Sequence, residues 1–176
     1  MGTNRGGRPS AVHIELNKRI VAARNGDSIL AIVEAEHGSF NAVNAATACN
    51  RLAKTRQGSS QGPRPDDRRV QTLLSTVTRV AADLGGQQLA NTVWALATLG
   101  WQADKRSTMR CALEAAAVRV APSMNAQDVA NALWALATLG WQAAEGAMRA
   151  ALEGAAVRVA PSMKDRKSTR LNSSHP

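Results

Sequence analysis

The chain has 176 residues, is 44% hydrophobic but only 3% aromatic, and carries a formal net charge of +9 with a pI near 11.0. Much of the apolar content is Ala, which favours closely packed helices over a sheet sandwich, and no apolar run reaches the length of a membrane span. Two cysteines, Cys49 and Cys111, make neither a disulfide framework nor a metal site, and the basic balance points to a polyanion such as nucleic acid or to an anionic surface.

In chain order, residues 1–10 read as a flexible basic N-terminus, with Arg5 and Arg8 but neither a secretory apolar segment nor a myristoylation signal. Residues 11–54 read as a degenerate helical repeat, because Phe40 to Ala48 aligns with Met124 to Ala132 further on. Residues 55–69, rich in Gly, Ser, Gln and Pro, read as a linker. Arg64, Arg68 and Arg69 lie there beside Asp66 and Asp67 and are expected to be solvated. Cys49 and Cys111 each fall in a helical pattern and are expected to act as small buried hydrophobes.

Residues 70–163 hold two clear repeats. Leu89 to Gln102 recurs as Val129 to Gln142 at an offset of 40, and Val118 to Met124 recurs as Val157 to Met163 at an offset of 39. The residue lost between Trp141 and Met148 marks a loop tolerant of length change. Each unit reads as two helices. One starts at Asn125, an N-cap with Asp128 three residues on and a Met124/Val129 staple. It ends at Gly140, a left-handed C′ position, with Trp141 as the following apolar contact. The other runs from about Ser107 to Ala121, where Pro122 stops it. A lone hairpin of this kind cannot bury both faces, so the expected fold is all-α, an α-solenoid of stacked hairpins with a repeat of about 39–40 residues.

Residues 164–176 read as a tail outside the protein design. Asp165 to His175 matches the in-frame translation of a sequencing-adapter oligonucleotide, and the chain is expected to be a piece of a longer array. Lys164, Arg166, Lys167 and Arg170 against Asp165 put +3 on this tail and leave +6 on the rest.

The run Gln127 to Gly140, with Leu-Trp-Ala-Leu-Ala-Thr-Leu-Gly inside it, resembles the octotricopeptide-type repeat and is similar to the helical repeats of FAST kinase-like (FASTK) proteins. The stretch Ile29 to Lys54, with His37-Gly38-Ser39-Phe40-Asn41, is similar to the start of such arrays in algae and other protists. The resemblance covers roughly residues 11–54 and 70–163. It implies an RNA-binding protein of the mitochondrion or chloroplast, acting in transcript stability, processing, editing or translation. The RAP domain and the transit peptide that it also implies are not seen in the sequence.

Enzymatic chemistry finds no residues to carry it. There is no phosphate-binding Gly-rich loop and no kinase catalytic loop. His13, His37 and His175 lack Asp, Glu or Cys partners at ligand spacing. The expectation is therefore no enzyme, no metal, no cofactor and no small-molecule substrate. Binding remains, with single-stranded RNA as partner, other proteins as further partners and no membrane. Gln127, Asn131 and Thr138 fall on one side of a helix, matched by Gln87, Asn91 and Thr98, and amides can read base edges. The alternative is a solvated face, or Asn91 and Asn131 bonded to a neighbouring repeat. Arg110, Arg119, Arg149 and Arg158 recur on the second helices and are candidates to track phosphates. The alternative gives Arg119 and Arg158 to the helix dipole, and Arg110 and Arg149 to Glu114 and Glu153. Trp94, Trp101, Trp134 and Trp141 invite base stacking, but the apolar stripe favours core for all four. The competing function is a protein-interaction scaffold of the HEAT or armadillo kind, which should show a mixed or acidic groove.

Overall fold

Short-range side-chain chemistry sets most helix ends, and the repeat of that chemistry sets the architecture. In the computed structural model the described residues are 10–56, 63–101, 107–141 and 146–171, with 162–171 described by backbone alone. Residues 1–9 of the basic N-terminus, 57–62 of the linker, 142–145 of the length-tolerant loop and 172–176 of the tail lie outside the described residues. The described residues form eight α-helices and no strand: α1 Ala11–Ala22, α2 Gly26–Glu36, α3 Ala42–Arg56, α4 Arg68–Val80, α5 Gly86–Leu99, α6 Thr108–Val120, α7 Ala126–Leu139 and α8 Ala147–Leu171. Single 3-10 turns at His37–Ser39, Ala81–Asp83 and Ala121–Ser123 lead into α3, α5 and α7.

Asn125 caps α7, its side chain accepting from the Asp128 amide at 2.9 Å. Asn41 caps α3 in the same way, accepting from the Asn44 amide at 3.0 Å, and Asn44 returns the bond to the Asn41 amide. The two apolar residues before these caps, Phe40 and Met124, are buried. At the other end, Gly100 and Gly140 have φ of 68° and 66°, a region that only Gly enters without cost. The Trp101 amide donates to the Leu96 carbonyl and the Trp141 amide to the Leu136 carbonyl, closing a Schellman turn each time. Trp101 and Trp141 then plug the core, 1% and 6% exposed.

These hairpins stack as two rows. Helices α1, α3, α5 and α7 pack in order as one row, and α2, α4, α6 and α8 as the other. We call them the inner and outer rows, because the α3–α5 and α5–α7 contacts are the broadest in the molecule. Small residues allow this approach. Ala90 and Ala97 on α5 are buried, and a Cβ on Gly86 would come within 2.8 Å of Met124 Cγ. Leu73, Val77, Leu89, Leu96, Leu113 and Val129 belong to a core continuous between the rows. The all-α hairpin stack read from the repeat is the fold.

One local reading needs correction. In the 55–69 stretch, Thr55 and Arg56 complete α3, Asp67 caps α4, and Arg68 and Arg69 are its first residues. Arg69 is held by Asp67 and by Asp27 of α2, at 2.9 and 2.8 Å, so it ties two outer helices together and is not a free linker charge. Pro122 does end α6, but its repeat partner Pro161 lies inside α8. The Asn125–Asp128 box that restarts the chain after Pro122 has no counterpart after Met163. No helix is long and apolar enough to cross a membrane among the described residues.

The caps make two expected outcomes. Asn125→Ala lowers stability by about 1 kcal/mol in urea unfolding, the usual worth of an N-cap. The two cap-region carboxylates respond to pH with opposite sign. Hydrogen bonds from the Arg69 side chain and amide hold Asp67 below the usual carboxylate range. Its stabilisation is present above that range and is lost as pH falls. Burial pushes Asp128 upward, partly offset by the Asn125 amide, so its contribution is full in acid and is lost as pH rises. Thermal melts across a pH series should show Asp67→Asn falling behind the parent as pH rises from acid to neutral, and Asp128→Asn gaining on it.

Candidate nucleic-acid interface

Helix α5 is covered by α3 and α7 on its flanks and by the outer row behind, which leaves one stripe facing away from the outer row, and the equivalent stripe on α7 follows from the repeat. On α5 that stripe is Gln87, Asn91, Trp94 and Thr98; on α7 it is Gln127, Asn131, Trp134 and Thr138. Steps of four, three and four residues keep each set on a single line along the helix. The aligned positions on α3 are Val43, Thr47, Asn50 and Lys54. All twelve are exposed or half-buried, and none is a carboxylate. The six polar residues expected to bind therefore stand on adjacent helices of one surface.

Within the stripe the groups differ in what they can offer. The Gln127 amide nitrogen donates to Asn131 Oδ1 at 2.9 Å. That leaves the Asn131 NH₂ group and the Gln127 carbonyl open as donor and acceptor. The Thr138 hydroxyl donates to the Trp134 carbonyl of its own helix at 2.9 Å. The Thr98 hydroxyl is buried without a partner. The threonines thus shape the surface, while the amides present bonding groups. Lys54, exposed in the last turn of α3, makes no ion pair or hydrogen bond among the described residues.

The expected phosphate-tracking arginines lie elsewhere, on the outer row. Arg110 is 6% exposed, its Nε donates to Glu114 at 2.8 Å and its guanidinium lies over the Trp141 ring at 5.0 Å. It is a packing residue, since the Trp face and the carboxylate together replace its water. Arg149 is exposed and bonded to Glu153 at 2.6 Å. Arg119 donates to the Leu84 carbonyl at 2.7 Å, and Arg158 to the carbonyls of Met124 and Ala121 at 2.5 and 3.4 Å. Arg79 belongs to the same set, donating to the His37 and Phe40 carbonyls at 2.8 and 3.2 Å. Phe40, Leu84 and Met124 each stand just before the start of an inner helix. One arginine per unit therefore ties the outer helix to the turn that leads from the preceding outer helix into its own inner helix. The recurring Arg-Val-Ala at 79, 119 and 158 is the sequence signal for it.

Two further expectations change. The four tryptophans are not all core: Trp101 and Trp141 are, but Trp94 is only partly buried and Trp134 is 48% exposed. The 4-3-4 spacing that puts them in line with the amides was the available signal. The cysteines also part ways. Burial pushes the Cys49 thiol up to about 12, whereas Cys111 is exposed. Cys111 borders an open cleft of about 250 Å³ between α6 and α8. The arginines of that cleft, Arg110 and Arg149, are already paired with Glu114 and Glu153. Among the described residues no three His, Cys, Asp or Glu side chains gather to hold a metal.

Fold and surface together define an all-helical repeat domain with a polar, carboxylate-free stripe. A family model, that of the Tbc2 translation factor N-terminal domain, matches residues 24–165, and the chain belongs to that family. This is a family of translation factors, and the match replaces the octotricopeptide-type and FAST kinase-like assignment. That assignment rested on the Leu-Trp-Ala-Leu-Ala-Thr-Leu-Gly run, which lies wholly within the matched residues. The mitochondrial or chloroplast location was implied by that resemblance alone. No curated protein and no solved structure matches the chain.

The clasp separates the two kinds of arginine experimentally. Arg119→Ala strands the Leu84 carbonyl and is expected to cost about 1–2 kcal/mol in urea unfolding. Arg149→Ala breaks only an exposed pair and should stay within about 0.5 kcal/mol of the parent.

Proposed function

We propose that this domain binds single-stranded RNA along the inner row, as a non-catalytic module of a translation factor. The observation that carries the reading is the repeated stripe. Gln87 and Asn91 of α5 and Gln127 and Asn131 of α7 lie at equivalent places on adjacent helices, and on α7 the bonded pair leaves a donor and an acceptor open. Arrays that read RNA use a few side chains per repeat on one such row. The charge of +6 that remains outside the 164–176 tail suits a polyanion, and so does a stripe without a single Asp or Glu in a chain that has 13 of them. A protein scaffold of the HEAT or armadillo kind is the less favoured reading, because a mixed or acidic groove is what it should present.

The family gives the setting. A translation factor that grips an unpaired stretch of a transcript needs affinity and selectivity but no chemistry, and this surface offers bonding groups without a nucleophile or an acid–base pair. The test is fluorescence anisotropy with short labelled single-stranded RNA across a salt series. Binding should be saturable and weaken with salt. Asn91→Ala with Asn131→Ala should weaken it at least tenfold, which is about 1.4 kcal/mol, while Arg149→Ala changes it little. Absence of binding by a protein that circular dichroism shows to be helical would sink the reading in favour of the scaffold.

A further inference from the structure

We propose that Trp94 and Trp134 are stacking platforms for unpaired bases, one per repeat, each beside the asparagine that meets the base edge. This rests on the inner row being the RNA surface and goes beyond it, since it assigns the ligand as the face of an unstacked nucleobase and names the side chains that take it.

The tryptophans divide by position in the repeat. Those after the C′ glycine, Trp101 and Trp141, are buried plugs. Those within the helix, Trp94 and Trp134, stand in the polar stripe. An indole left nearly half in water is a large apolar surface kept from the core, and Trp134 is 48% exposed. Its exposure has two sources that can be separated. Ala130 and Ala137 of α7 are exposed where their equivalents Ala90 and Ala97 on α5 are buried, so one flank of α7 is left uncovered by the described residues. Trp94, however, remains partly exposed with α7 packed beside α5. The opening at this position thus belongs to the repeat itself.

Geometry then pairs each indole with an amide. Asn91 and Trp94, and Asn131 and Trp134, are three residues apart, neighbours one turn along the helix with Cβ atoms roughly 5–6 Å from each other. A base lying on the indole face would bring its edge toward the asparagine. Stacking accepts every base because each has a π-face, and the amide adds choice at the edge. A duplex hides its base faces, so this site takes single strands. The aligned position on α3 is Asn50, so α5 and α7 supply the two platforms.

The test uses the whole chain with an eight-nucleotide single-stranded RNA, the same length carrying abasic sites, and the corresponding duplex. Anisotropy reports binding, and intrinsic tryptophan emission reports stacking. The expected result is quenching of emission as the intact single strand binds. Trp134→Ala should remove most of that quenching and weaken binding about tenfold, and Trp134→Phe should keep most of the affinity. The abasic strand should bind the parent no better than the intact strand binds Trp134→Ala. For Trp94, which also packs on the core, Trp94→Phe is the variant of choice, and it should reduce quenching without loss of helicity. Single-strand binding that depends on Asn91 and Asn131 but is indifferent to Trp134→Ala, with unchanged emission, would overturn the stacking proposal and leave the RNA reading intact. Equal quenching by the duplex would overturn it too. A helical protein that binds none of the three probes would overturn both.

Discussion

A guanidinium reaching back to a main-chain carbonyl ties each outer helix to the turn between the preceding outer helix and the inner row. Arg79, Arg119 and Arg158 project from outer helices α4, α6 and α8 to the carbonyls of Phe40, Leu84 and Met124. Those carbonyls sit just before the inner helices begin, outside any helical ladder, and a carbonyl so placed needs a donor. A charged donor makes a stronger bond than a neutral one. Directionality matters as much as strength. Ala and Leu surfaces pack in several registers at similar cost, whereas a guanidinium meets a given carbonyl in one. The clasp therefore fixes which turn of each outer helix lies against which entry point, and the rest of the stack follows from that register.

Register on the outer row becomes display on the inner row. Once α4, α6 and α8 are set, α5 and α7 are placed by their hairpin turns and drawn together over Ala90, Ala97 and Gly86. Close approach of two helices over small side chains fixes their rotation about their own axes, because larger residues at any other angle would clash. The rotation that buries Leu89, Val93 and Leu96 behind α5 and Ala90 at its flank leaves the Gln87, Asn91, Trp94 and Thr98 line outside. The stripe is thus a consequence of core packing, and a substitution in the core that turned α5 would misalign it.

Much of this was legible in residue order. The 40-residue offset, the Asn125 cap and the Gly140 stop each have a short-range cause, and the structure realises each of them. What escaped was set by partners distant in sequence. Arg119 and Arg158 were visible as a recurrence, but nothing local says that they reach 35 and 34 residues back to a carbonyl. Arg110 looked like half of a surface pair with Glu114, and that pair exists, yet Trp141 covers it from the turn after α7. Trp134 lies one residue round from the Val129–Leu133–Leu136 stripe, and a wide apolar face and a narrow one differ there by a single position. Only the placement of neighbouring helices decides which it is.

The same partners decide what the positive charge can do. Most acidic side chains that form ion pairs meet an arginine: Glu36 with Arg19, Asp66 with Arg64, Asp27 and Asp67 with Arg69, Glu114 with Arg110 and Glu153 with Arg149. A second set of arginines, Arg51, Arg56, Arg79, Arg119 and Arg158, donates to neutral carbonyls. A carbonyl takes a hydrogen bond without cancelling the charge, so these arginines still contribute to a long-range field that draws a polyanion. They have, however, committed N–H groups that a phosphate would need for a two-pronged grip. On the RNA-binding reading proposed above, attraction and recognition then fall to different side chains. The clasping arginines hold the fold and supply the field, and the choice among ligands is left to the uncharged amides and indoles of the inner row.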